Sequence, residues 1–191
     1  MELMDKYILH KRKALDRRTC EHLINIFEKS SPVLNDRDYW GLYPSLTDAS
    51  FSFLKPILRK CMDEYGEKHP FMGMRINEWK IDDKFHIQKY EKGHFYDSYR
   101  DPAKILGHME HGWSEYDCRR LLAWMVYLND IKKDGGTCWP QQKFTSKPRA
   151  GDLYIWPSAW THSHYGIPAP NEEKYILTGW CSFSMDPMGL L

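Results

Sequence analysis

Apolar positions along the chain follow a helical period near the amino terminus and a strand period further on. From Asp16, the stretch DRRTCEHLINIFEKS places Leu23, Ile24, Ile26 and Phe27 at helical spacing, with Thr19 as N-cap and Ser30–Ser31–Pro32 ending the pattern. This predicts a first helix. A second is expected to begin near Thr47 or Asp48, to carry Phe51, Leu54, Ile57, Leu58 and Met62 on one face, and to stop before Pro70. Pro56 is expected to shorten or kink it.

After Phe71 the period changes. INEWKIDDKFHIQKY alternates and is rich in β-branched and aromatic residues, as half-buried strands are. Further strands are predicted in LLAWMVYLND (Leu121 to Asp130), GTCWPQ (Gly136 to Gln141), KFTSKP, DLYIWP (Asp152 to Pro157) and KYILTGWCSFSM (Lys174 to Met185). Turn residues separate them at Lys133–Asp134–Gly135–Gly136, Pro148–Arg149–Ala150–Gly151 and Pro168–Ala169–Pro170–Asn171. Short strands at this spacing predict a mainly β sandwich or jelly roll behind supporting helices. The expected organisation is one domain over 1–191, with 1–72 mostly helical support and 73–191 the jelly-roll core.

Composition narrows the class. The 191 residues fit one domain with a sizeable core. Lys plus Arg is 27 against 26 for Asp plus Glu, a net charge of +1, so there is no cationic track for a phosphate backbone and no nucleic-acid partner is expected. The five cysteines are scattered without a Cys-x-x-Cys pair, which argues against a disulfide scaffold or a cysteine zinc knot. No apolar run approaches the roughly 18 residues of a membrane span. The expected setting is a reducing cytoplasm without a membrane partner. Aromatic residues are abundant, at 8 Trp, 12 Tyr and 8 Phe, which suits a β-rich core or a lined pocket. Trp156 and Trp160 are read as packing residues.

Four of the nine histidines lie in two close pairs, His108 and His111 in GHMEHG and His162 and His164 in THSHYG. Glu110 follows His108 by two positions. On a strand these two side chains share a face and can grip one ion; on a helix they would diverge by about 200°. A distal histidine from a neighbouring strand would complete two imidazoles and one carboxylate, the facial triad of non-heme Fe(II) oxygenases. A single His-x-Glu pair is common by chance, so context has to decide.

Context comes from RRLLAWMVYLNDIKKDGGTCWPQQKFTSKPRAGDLYIWPSAWTHSHYGIPAPNEEKYILTGW, Arg119 to Trp180. Here YLND (Tyr127 to Asp130), GGT (Gly135 to Thr137), KPRAGDLYIWP (Lys147 to Pro157), His-x-Gly-x-Pro (His164 to Pro168), Lys174 and Trp180 follow in order, with HIQKYEKG (His86 to Gly93) upstream. Over roughly half its length the chain resembles the prolyl 4-hydroxylase-like 2-oxoglutarate and Fe(II)-dependent dioxygenases. The resemblance implies a double-stranded β-helix, or jelly-roll, core. It assigns His108, Glu110 and His164 as catalytic metal ligands, Lys174 to the distal carboxylate of 2-oxoglutarate, and Tyr90 as an extra hydroxyl near that cosubstrate. It implies Fe(II), 2-oxoglutarate and dioxygen, with ascorbate as an accessory reductant, and oxidative decarboxylation coupled to hydroxylation of an unactivated C–H bond. Retention of Glu110 favours hydroxylation over halogenation, since the related halogenating enzymes lose that carboxylate.

Counting forward from Tyr90, the first metal ligand would fall near Tyr99–Arg100–Asp101, where no histidine stands; counting back from Arg119–Arg120, it falls on His108. An insertion over Asp97 to Leu106 reconciles the counts and is a candidate lid. His94 and His111 remain alternative ligands, and His162 a supporting or surface residue. The expected substrate is a peptidyl prolyl residue, a free amino acid or a similar small molecule, presented by a peptide, a protein or alone. Two competing readings use the same core: a nucleic-acid demethylase, and a non-catalytic jelly-roll module holding structural zinc or another ligand.

Overall fold

The computed structural model describes residues 6–34, 39–70, 79–94 and 119–183. In chain order the elements are β1 (Leu9–Lys11), α1 (Arg17–Lys29), β2 (Val33–Leu34), β3 (Trp40–Leu42), α2 (Leu54–Lys68), β4 (Trp79–Ile81) and β5 (His86–Tyr90). From residue 119 onward come β6 (Arg120–Tyr127), β7 (Thr137–Trp139), β8 (Phe144–Thr145), β9 (Leu153–Pro157), a 3-10 turn (Trp160–His162), β10 (Tyr165–Gly166) and β11 (Lys174–Phe183).

Strands dominate, as the periodicity requires. The large antiparallel sheet runs β1-β9-β6-β11-β5-β3-β2, with β4 pairing further along β11, and the small sheet runs β10-β7-β8. The two sheets form the jelly-roll core of a mainly β fold. Strand β6 is buried on both faces: Leu122, Trp124 and Val126 face one cluster, and Ala123, Met125 and Tyr127 face the other. The outer cluster takes in Leu23 and Phe27 of α1 and Leu54, Leu58, Met62 and Tyr65 of α2, so both helices cover the outer face of the large sheet. Between the sheets lies the inner cluster, where Trp139 of β7 meets Tyr154 and Trp156 of β9.

The boundaries of the helices depart from expectation for local reasons. Asp16, not Thr19, caps α1: its carboxylate accepts from the Thr19 backbone N–H at 2.7 Å, and Thr19 is already in the first turn. Helix α2 begins at Leu54 because Asp48 first builds turns, its carbonyl accepting from the Phe51 and Ser52 N–H groups. Pro56 therefore falls in the first helical turn, where its missing N–H costs no helical bond. The first seventy residues also contribute three strands to the large sheet. At two or three residues each, β1, β2 and β3 are too short to show an alternation, and so is β10.

Candidate active site

Lys174 opens β11 directly opposite Tyr90, the last residue of β5. Strand alternation sends both side chains to the inner face, whereas their neighbours Tyr175 and Lys89, also paired, face the helices. Lys174 is only 3% exposed, and its ammonium lies 4.7 Å from the centroid of the Tyr90 ring. Among the described residues no carboxylate or hydrogen-bond acceptor engages it, and burial alone pulls its pKa down to about 8. A cation so placed suits an incoming anion. Tyr90 is buried, and its hydroxyl donates to Gln88 Oε1 at 2.8 Å. Gln88 stands two residues earlier on the same face; that spacing could have marked it in the sequence.

A second inner feature is a set of buried hydroxyls. Tyr127 Oη lies 3.0 Å from Thr137 Oγ1 and 2.7 Å from Ser146 Oγ, and Ser146 Oγ accepts from the Thr137 N–H at 2.8 Å. Burial pushes the Tyr127 phenol up to about 12, so it stays a neutral hydroxyl. These contacts give the Tyr and Thr of the YLND and GGT stretches a common place.

His164 follows the 3-10 turn and sits between two indoles, with ring centroids 5.8 Å from Trp139 and 4.9 Å from Trp156. Its Nδ1–H donates to the His162 carbonyl at 2.9 Å, which fixes the tautomer and leaves the lone pair on Nε2. Burial lowers its pKa and favours the neutral ring that a metal requires. His162 is committed elsewhere: its Nε2–H donates to the Lys6 carbonyl at 3.0 Å and its Nδ1 faces the Thr161 hydroxyl at 3.0 Å. Its role is to hold the turn from which His164 projects. Trp156 is buried as expected, but Trp160 is 78% exposed, because the 3-10 turn carries it out of the sheet into solvent.

The structure brings Lys174, Tyr90 and His164 to one inner face through the shared aromatic cluster. His108, Glu110 and His111 lie outside the described residues, as does the expected insertion Asp97 to Leu106. His94 is exposed on the turn after β5. Among the described residues no three His, Cys, Asp or Glu side chains gather around a point. The donors that are described fit the group: one neutral imidazole with an oriented nitrogen, and one buried cation without a counter-charge. No helix among the described residues is long and apolar enough to cross a membrane.

The model of the 2OG-Fe(II) oxygenase superfamily matches residues 85–182, and the chain belongs to that superfamily. Within it the chain is similar to proteins described as prolyl 4-hydroxylases. It is 26% identical over 120 residues to a protein of Arabidopsis thaliana described as probable prolyl 4-hydroxylase 9, a match covering 51% of this chain and 40% of that protein. The chain therefore spans well under two thirds of that relative. Its fold is shared with the viral collagen prolyl hydroxylase of Paramecium Bursaria Chlorella virus-1 in its 2OG complex (TM-score 0.68, 18% identity, 96% of this chain and 98% of that one). It is also shared with a Trichoplax adhaerens prolyl hydroxylase in complex with a hypoxia inducible factor peptide fragment (TM-score 0.63, 16% identity, 94% and 85% covered). Membership in the superfamily implies Fe(II) and 2-oxoglutarate as reagents.

Proposed function

We propose that this protein is an Fe(II)- and 2-oxoglutarate-dependent hydroxylase, with His108, Glu110 and His164 holding the metal and Lys174 binding the distal carboxylate of the cosubstrate. The observation that carries the reading is the buried Lys174 ammonium, which has no counter-charge among the described residues and shares an inner face with His164. A five-carbon dicarboxylate reaching from the metal to Lys174 would satisfy both. Tyr90 forms a wall of this pocket through its ring, since its hydroxyl is given to Gln88.

Bound iron and 2-oxoglutarate supply the oxidising chemistry, in which dioxygen converts the cosubstrate to succinate and carbon dioxide and a C–H bond of the substrate is hydroxylated. The chain's own residues do the rest. His164 offers a nitrogen whose direction the His162 carbonyl sets, Lys174 neutralises and orients the cosubstrate, and the indoles of Trp139 and Trp156 exclude water around the imidazole. We assign a peptidyl prolyl residue as the first substrate to test, with a free amino acid or similar small molecule as the second. The peptide-bound Trichoplax enzyme of the same fold supports that order.

The test is an anaerobic titration with ferrous ion and 2-oxoglutarate, followed by turnover in air. A weak visible charge-transfer band should appear, be lost in His108→Ala and His164→Ala, and survive at saturating iron in His162→Ala. Turnover should release succinate and add one oxygen atom to a proline-containing peptide. A product on methylated oligonucleotide alone would move the chain to the demethylases, and metal binding without succinate release would make it a non-catalytic module.

A further inference from the structure

The YLND stretch has a role that the metal and the cosubstrate do not explain. Strand β6 ends at Tyr127, paired with Ile176; one more main-chain bond follows, from the Leu128 N–H to the Tyr175 carbonyl at 2.9 Å, and the ladder on the β6 side of β11 then stops just short of Lys174, which β5 pairs on the other edge. The Asn129 side chain takes over the pairing. Its Nδ2 donates to the Glu173 carbonyl at 2.8 Å, and its Oδ1 accepts from the Tyr175 N–H at 2.9 Å. One carboxamide thus holds the main chain on both sides of Lys174. The two partners, one acceptor and one donor, also fix which way the amide points.

The flanking side chains are held from outside the sheet. Lys89 Nζ lies 3.2 Å from Glu173 Oε1 and 3.3 Å from Glu28 Oε1 of α1, and the Tyr175 hydroxyl donates to Glu28 at 2.7 Å. Residues 173 and 175 are therefore anchored in backbone and side chain, while Lys174 itself points inward with no polar partner among the described residues. A lysine stem has four rotatable carbons, and with nothing polar to grip, its aim comes from its Cα and from the Tyr90 ring.

We propose that Asn129 is a positioning residue for 2-oxoglutarate binding: by clamping the backbone on either side of Lys174 it sets where the ammonium meets the distal carboxylate. The proposal rests on the reading of Lys174 given above. A carboxylate–ammonium contact loses strength steeply when its distance or angle drifts, so freeing the backbone should be felt in cosubstrate affinity before it is felt in chemistry.

The experiment compares wild type, Asn129→Ala, Lys174→Met and the double variant, well below their unfolding transitions, by KM for 2-oxoglutarate and kcat at saturation. Direct binding of 2-oxoglutarate to the anaerobic Mn(II)-loaded protein is measured alongside. Asn129→Ala is expected to weaken 2-oxoglutarate by about tenfold in both KM and direct binding, with kcat at saturation little changed. In the Lys174→Met background the same substitution should have almost no further effect on binding, because it acts through the lysine. A purely structural role would instead lower kcat through the folded fraction and leave KM alone, which would overturn the proposal. So would equal losses on binding in both backgrounds. If Lys174→Met itself leaves 2-oxoglutarate binding unchanged, the reading of Lys174 fails; if it weakens binding and Asn129→Ala does not, the positioning role alone fails. Should Asn129→Ala fold poorly, Asn129→Ser, which shortens the side chain and retains a hydroxyl, is read by the same binding measurement.

Discussion

Lys174 and Tyr90 face each other across the β5–β11 ladder, ammonium over phenol ring at 4.7 Å, with no negative charge beside them among the described residues. A cation–π contact recovers only part of what burying the charge costs. The lysine is thus a buried charge that the ligand-free fold carries at a loss, as the proposed binding role requires. Lys174→Met should raise the stability of the ligand-free protein by on the order of 1–3 kcal/mol in urea unfolding, and should abolish the further stabilisation that 2-oxoglutarate gives the wild type. A less stable ligand-free variant would show that the lysine is not unpaired.

The same burial sets a pH dependence. The folded protein holds the Lys174 proton only up to about pH 8, whereas an ordinary lysine keeps it to 10.5. Between those values the unfolded chain binds more protons, so this residue makes stability rise with pH across the window, while below pH 8 its cost is fully present. On the proposed role of Lys174, cosubstrate binding runs the other way because it needs the charged form. The dissociation constant for 2-oxoglutarate should climb by about tenfold per pH unit above 8, and calorimetry in buffers of different ionisation enthalpy should detect proton uptake. Lys174→Arg, if it binds, should flatten the climb, since a guanidinium stays charged. A flat wild-type profile to pH 10 would contradict the assignment.

How far the sequence foretold this arrangement varied with the length of each signal. Strands β6, β9 and β11 were legible because five to ten residues suffice to show burial on one or both faces. Strands of two or three residues show no period of their own: β7 and β8 were legible only from the turn residues that bracket their stretches, and β1, β2, β3 and β10, without such brackets, emerged only in the structure. Helix α1 was displaced by one hydrogen bond, from the Thr19 N–H to Asp16. In the site, Lys174 and His164 could be read from ordered motifs, but Asn129 could not: its partners lie 44 and 46 residues away, and only the ladder register brings them together. The exposure of Trp160 was hidden for a similar reason, since a 3-10 turn leaves no periodic trace.

The outer anchor of the Lys174 segment should make the protein acid-sensitive. Glu28 accepts from the Tyr175 hydroxyl and faces Lys89, and these contacts, the hydroxyl first, hold its carboxyl below its ordinary value of 4.5. A carboxyl lowered in the folded state contributes stability above its unfolded pKa and loses it as pH falls through the folded one. Thermal unfolding scans should therefore show a loss of Tm below about pH 4.5 that is shallower in Glu28→Gln. Lys89 supports the sign: although burial would lower it, hydrogen bonds to Tyr175, Glu173 and Glu28 raise it well above 10.5. Identical acid profiles for wild type and Glu28→Gln would mean that this network does not bear on folding.

Gly151 marks where the amino-terminal segment docks on the core, and two independent constraints act on it. Its φ of +84° lies in the left-handed region, and a Cβ there would stand 1.9 Å from the Leu15 carbonyl oxygen, a backbone atom that cannot swing aside. The approach is close because Leu15 N–H donates to the Gly151 carbonyl at 3.2 Å while Gly151 N–H donates to the Tyr127 carbonyl at 2.8 Å. Gly93 offers the matched control: its φ is +78°, but nothing lies within 4 Å of the added carbon. Gly93→Ala should cost about 1 kcal/mol in denaturant unfolding, the price of the dihedral alone. Gly151→Ala should cost about 3 kcal/mol or more, because the Leu15 loop must move and its hydrogen bonds are lost with it. Equal costs at the two positions would show that the Leu15 segment yields freely, and that the close approach at Gly151 adds nothing to the dihedral penalty.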